Sequence, residues 1–166
     1  MRIATVVFLL LASVSAGDAQ TPRIDRIDII VSGTYVAEVT QKVDVPGTAV
    51  GSRNTVRAIT FTKSTTQVSA KRGIRFGFRY KIVGAPSGQI VALKGVTRFP
   101  PQGLRNPDKH TTTYREEYPL RVKIGDVALD GYALTDAWEV VPGRWTFEIW
   151  YGSRKLAAKT FTLSKP

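Results

Sequence analysis

From position 74 to 82 the chain alternates without a slip: Ile74, Phe76, Phe78, Tyr80 and Ile82 fall on even positions, and Arg75, Gly77, Arg79 and Lys81 on odd ones. Successive strand side chains point to opposite faces, so a period of two predicts a strand with one core face and one cationic face. Residues 145–151 repeat the pattern with reversed parity, turning Trp145, Phe147 and Ile149 inward. Short runs rich in Val, Ile, Thr, Phe and Tyr recur at 24–31, 34–43, 55–62, 89–99, 120–124, 131–134 and 156–163. Gly and Pro punctuate the gaps between them, as turns between strands require. After the first 19 residues no window sustains a 3.6-residue apolar period. The expectation is an all-β protein, a single antiparallel β-sandwich.

The punctuation also predicts connections. Ser32-Gly33 separates the first two runs, and Pro86-Ser87-Gly88 turns the chain so that 74–83 and 89–99 can pair as a hairpin. Gly152-Ser153 fits a two-residue hairpin, setting Ile149 opposite Leu156 and Phe147 opposite Ala158. Phe161 and Leu163 then have the wrong parity, which calls for a bulge between Ala157 and Thr160. Residues 100–113 hold three prolines and a glycine and read as one long loop, with Leu104 and His110 as candidate contact residues.

The start of the chain adds a location. Met1-Arg2, an apolar run over 3–14 and the small residues Ser15-Ala16-Gly17-Asp18-Ala19 follow the order of a secretory signal peptide. Residues 1–19 are expected to be a removed leader, with cleavage after Ala19 (or after Ala16), and 20–166 a single domain. The apolar run is short of the roughly 20 residues that span a bilayer, and no later segment approaches that length. The chain contains no cysteine. That excludes disulfides, thiolate metal sites, a cysteine nucleophile and the acylated cysteine of an exported lipoprotein. The expected setting is periplasmic or secreted, and soluble.

Net charge is +11, and its placement matters more than its size. Residues 45–107 carry eleven Lys/Arg and no acid, whereas both flanks are nearly balanced. Arg75, Arg79 and Lys81 line up on one strand face, and Lys94 and Arg98 would join them if the two strands pair. These five are the candidate anion-binding residues. Their partner would be an anionic envelope lipid, a glycolipid, an acidic polysaccharide or an acidic protein. Nucleic acid is not expected, because no aromatic platform is interleaved with the cations. Trp150 is the candidate exposed aromatic, turned outward by parity and opposite Lys155, which suits a cation–π pair or a partner contact.

Little points to catalysis. The single histidine, His110, lies two residues from Asp108, but no serine sits in a nucleophile elbow. One His and no Cys leave no zinc set, and no acidic loop resembles a calcium site. Glu116 and Glu117 are adjacent, so on a strand they face opposite ways. No catalytic, cofactor or metal residues are assigned.

The segment Asp136-x-Trp138-Glu139-x-Val141-Pro142-Gly143-x-Trp145-Thr146-Phe147-Glu148-Ile149-Trp150, followed by Gly152, Leu156 and Phe161, resembles the signature of a bacterial family known as domain of unknown function 3859. Phe76-Gly77-Phe78-Arg79-Tyr80 and Phe99-Pro100-x-x-Gly103-Leu104-x-Asn106-Pro107 are similar to its other landmarks. The resemblance implies an immunoglobulin-like sandwich in an envelope protein and implies no activity. The functional expectation is an exported, non-catalytic binding or accessory module of the bacterial envelope. Its rivals are a structural component that assembles through a sheet edge and an enzyme with an unrecognised carboxylate site.

Overall fold

The period-two runs become strands of two facing sheets. The computed structural model describes residues 21–165, and the expected leader at 1–19 lies outside them. In chain order the strands are β1 (Arg23–Asp44), β2 (Ser52–Ser64), β3 (Gln67–Ser69), β4 (Arg75–Ala85), β5 (Ile90–Arg98), β6 (Leu104–Asn106), β7 (Thr111–Thr113), β8 (Arg115–Lys123), β9 (Val127–Ala133), β10 (Gly143–Tyr151) and β11 (Arg154–Ser164). A 3-10 turn, Ala137–Glu139, links β9 to β10. One sheet runs β2-β1-β4-β9 and the other β3-β11-β10-β5-β8, with β6 and β7 forming a small separate hairpin. Pairing is antiparallel apart from the short parallel contact of β3 with β11.

The core lies where the alternation placed it. Phe76, Phe78, Tyr80 and Ile82 of β4 face Trp145, Phe147 and Ile149 of β10, all of them fully buried. Phe76 meets Trp145, Phe147 and Phe161 edge to face at ring-centroid distances of 5.4–5.8 Å. That geometry sets positive ring edges against negative faces. The Trp145 indole N–H, which burial would otherwise orphan, donates to the Val141 carbonyl at 3.0 Å.

Four expectations are corrected. First, Ser32-Gly33 is not a turn; β1 runs through it as one 22-residue strand. Gly33 is there because β2 passes so close that a Cβ would fall on the Lys63 carbonyl oxygen. Second, β4 and β5 do not pair, because the chain crosses from one sheet to the other after Pro86-Ser87-Gly88. Apolar periodicity fixes which face is buried and leaves the partner strand open. Third, the β10–β11 bulge sits at the turn end: Trp150 pairs with Lys155 and Ile149 with Ala157, so Leu156 is the extra residue. Fourth, residues 100–113 contain the β6–β7 hairpin, and Leu104 is fully buried in the core. A buried leucine offers nothing to a partner, so its role as a contact residue falls.

β1 pairs with β4 only as far as Thr34 opposite Phe76. Beyond that point β1 and β2 continue together as a two-stranded arm, paired to Asp44 opposite Ser52. The arm folds back over the outer face of the first sheet, where Arg79 of β4 donates to the Ile59 carbonyl of β2 at 3.0 Å.

Candidate functional site: a cleft under the arm

The tip of the arm, residues 45–51, is clasped to the open side of the sandwich between β8 and β9. Arg53 reaches from the base of the tip to Asp130 of β9, Nη2 to Oδ1 at 2.9 Å. Its guanidinium lies over the Tyr118 ring of β8, 3.5 Å from the centroid, and its Nη1 is 3.9 Å from Glu116. The Tyr118 hydroxyl donates to Asp130 Oδ2 at 2.7 Å. Gly95 of β5 makes room for that ring, since a Cβ there would fall inside it. Glu116 accepts the Ala49 N–H at 2.9 Å, and the Asn106 side-chain amide donates to the Ala49 carbonyl at 2.9 Å. Lys109 closes the clasp by donating to the Thr48 carbonyl at 3.2 Å.

Burial dominates the electrostatics of this clasp. It raises the Asp130 and Glu116 carboxyls above their ordinary values, against the opposing pull of Arg53 and of the N–H and O–H donors they accept from. It also raises the Tyr118 phenol, helped by the Asp130 charge. Burial pulls Arg53 down, yet its neighbours Tyr118, Asp130 and Glu116 leave it raised and firmly cationic.

Between the arm and the sheet lies a cleft of about 830 Å³. Its walls come from β1 and β2 on one side and β4, β9 and the 3-10 turn on the other. Four cations line it, Lys42, Arg53, Arg72 and Arg75, together with Glu116, Asp136 and Glu139. Glu139 is fully buried and saturated: it accepts the Tyr132 hydroxyl at 2.8 Å and the Thr135 and Asp136 N–H groups at 2.6 and 2.7 Å. Arg72 donates to the Thr135 carbonyl. Arg75 and Lys42 have no partner of this kind among the described residues. Tyr35 also lines the cleft, 7% exposed, with its phenol raised to about 12 by burial, against the pull of the Arg75 charge.

The sequence-derived candidates separate. Arg75 lines the cleft. Arg79 is spent on the arm, and Lys81 is exposed on the same strand face. Lys94 and Arg98 lie on β5 in the other sheet, where acids from neighbouring strands meet them: Glu117 at 3.3 Å from Lys94 and Glu148 at 3.0 Å from Arg98. The five therefore do not form one row, because the acids missing nearby in sequence arrive through strand pairing. Trp150 is half-buried; Lys155 and Lys94 lie over its ring at 5.5 and 5.9 Å, and its indole N–H donates to Glu148 at 2.8 Å. Glu148 is held below the usual carboxylate range: burial pushes it up, and the bonds from Arg98 and Trp150 outweigh that. His110 is exposed at the β6–β7 turn with a left-handed φ of 51°. Among the described residues no group of three or more His, Asp or Glu converges as a metal site would require, and no helix is long and apolar enough to cross a membrane.

The clasp itself was missed in the sequence. A signal was present: Glu116 shares parity with Tyr118, and Asp130 with Tyr132, so each acid sits on the core face of its strand.

Two sheets packed face to face around an aromatic core make this an immunoglobulin-like β-sandwich protein. The family model described as Domain of unknown function (DUF3859) matches residues 25–163, and the chain belongs to that family. Among solved structures, an immunoglobulin-like protein from Pseudomonas aeruginosa is similar at 25% identity, covering 89% of this chain and 100% of that one, with a TM-score of 0.61. An alkylpurine DNA glycosylase from Pseudomonas fluorescens, bound to DNA containing an abasic site analog, aligns over 59% of this chain and 27% of that one. That alignment has 13% identity and a TM-score of 0.35. No curated protein matches the sequence.

Proposed function

We propose that this chain is an exported, non-catalytic binding module of the bacterial envelope, and that the cleft under the arm is where it takes an anionic partner. One observation carries this reading. The buried carboxylates at the cleft are held by protein donors, while the cations Arg75 and Lys42 stand uncommitted among the described residues. Against these two cations the cleft sets one exposed acid, Asp136, so the balance it presents to whatever enters is positive, and low-dielectric walls focus it. The leader-like first 19 residues supply the envelope setting.

A second reading, an enzyme with a carboxylate acid, rests on Glu116, which lines the cleft and whose proton is held more tightly by burial. Against it, one Glu116 oxygen is committed to the Ala49 N–H and the other faces Arg53. Those are the contacts of a structural strut.

The test is capture from envelope extract at low salt on the immobilised protein, eluted in salt steps. An anionic component retained by the parent, released by salt and lost with Arg75→Glu is the expected result. Equal retention by that variant, or none by the parent, would overturn the reading.

A further inference from the structure

The β1–β4 register ends with Thr34 opposite Phe76; Tyr35 and Arg75 are the next residue of each strand, near enough for the Arg75 charge to act on the Tyr35 phenol. Both line the cleft. Tyr35 as a residue is 7% exposed; its hydroxyl is reachable from the cleft and has no hydrogen-bond partner among the described residues. A guanidinium beside it, with no acid to hold, adds donors fixed in a fork that matches a carboxylate or phosphate. Beyond this pair the wall changes character: Ser52, Asn54, Thr55 and Thr135 bring hydroxyl and amide groups, while the Thr48 hydroxyl is spent on Val45 and Gly51 within the tip. The volume, about 830 Å³, far exceeds a bare oxyanion and falls within the range of roughly 300–1,000 Å³ typical of small-molecule sites.

We infer that the cleft binds a small polyhydroxylated anion, an acidic or phosphorylated sugar, with its carboxylate or phosphate gripped by Arg75 and the Tyr35 hydroxyl. The hydroxyl-bearing body lies along the Ser, Thr and Asn wall. Arg53 stays with Asp130 and holds the roof in place rather than touching the ligand. This rests on the binding reading above and gives it a chemical class.

The experiment is a nuclear magnetic resonance titration of the protein with glucuronate and with glucose 1-phosphate, using glucose and inorganic phosphate as counter-probes. Saturable shifts at Tyr35, Arg75 and Gly131 are expected with at least one of the two sugar acids. Which one responds separates the carboxylate from the phosphate source. Glucose, lacking the charge, and phosphate, lacking the body, should bind at least about tenfold more weakly. Arg75→Gln should weaken binding about tenfold or more and Tyr35→Phe about threefold to tenfold, as expected for a charge-assisted and a neutral hydrogen bond. Arg121→Gln, on the exposed edge strand of the other sheet, should bind like the parent. Shifts that never saturate, that spread over all the basic residues, or that survive Arg75→Gln would overturn the inference. So would a parent protein whose cleft resonances respond to neither sugar acid, a result read without any variant. If that happens while envelope anions are still captured through Arg75, the inference alone falls; if capture fails as well, the binding reading falls with it.

Discussion

The guanidinium of Arg53 lies 3.5 Å above the ring of Tyr118, and both residues meet Asp130. Arg53 comes from the arm, Tyr118 from the edge of one sheet and Asp130 from the edge of the other. One side chain thus ties three separate parts of the fold and, with the bonds at Ala49, Thr48 and Ile59, keeps the arm over the sheet.

Removing the tie strands a charge. Asp130 is 1% exposed, and Arg53→Met would leave its carboxylate buried with only the Tyr118 hydroxyl and backbone for company. Breaking a buried pair from one side costs about 3–5 kcal/mol. Urea unfolding should show a loss of that order, and hydrogen exchange should show residues 45–51 opening well before the core.

Acid should act in two opposing ways. Glu116 and Asp130 are raised in the folded protein by burial, so in the window between their unfolded and folded values the native state binds more protons than the unfolded one. Stability from these groups is therefore full below their unfolded values and is lost as pH rises through their folded values. Glu148 is lowered, so its contribution is present above its unfolded value and is lost as pH falls through its folded one. Urea unfolding across a pH series should show stability declining as pH rises above the ordinary carboxylate range, with a shallower decline in Glu116→Gln. Carbon-detected titration of the Glu116 carboxyl should give a midpoint above the usual glutamate value.

Gly95→Ala probes the same cluster without touching a charge. The added methyl would occupy the Tyr118 ring position, and that ring is packed on all sides. Overpacking of this kind costs about 1–3 kcal/mol. The Tyr118–Asp130 bond should loosen with it, visible as altered chemical shifts at Asp130 and Gly131. An unchanged melting temperature would mean that the ring is not seated as described.

Trp150 is expected to matter for stability rather than for binding. Trp150→Phe keeps a ring near Lys155 and Lys94 but loses the indole N–H bond to Glu148. The loss should be about 1 kcal/mol, with retention of envelope anions unchanged. A variant of parental stability that no longer captures its partner would instead make this tryptophan a contact residue.

Much of the sandwich was legible because its strands write their faces in the sequence. The even positions of β4 and the odd positions of β10 are buried as the alternation required, and Gly152-Ser153 turns the last hairpin between Tyr151 and Arg154. What alternation leaves open is partnership. It could not show that β4 and β5 belong to different sheets, that Gly33 sits under a neighbouring strand, or which residue at the last hairpin bulges. The basic tract looked free of acids because Glu117 and Glu148 are distant in sequence and adjacent only through pairing. The Arg53–Asp130 bond spans 77 positions, and no local pattern couples its ends. Arg75 was legible as a cation on an outer face; that an arm would roof it was not.

The most direct test of the cleft as an anion site is the affinity of the protein for an acidic polysaccharide, polygalacturonate, at low and high salt. Arg75→Glu with Lys42→Glu reverses the two uncommitted cations without breaking a described bond, whereas Arg79→Glu would also remove the hydrogen bond to the arm. Binding by the parent should fade as the Debye length shrinks from about 10 Å at 0.1 M salt to about 3 Å at 1 M. The double variant should fold with a parental melting temperature and bind at least about tenfold more weakly at low salt. A double variant that folds normally and binds as tightly as the parent would contradict the cleft as the site of anion recognition.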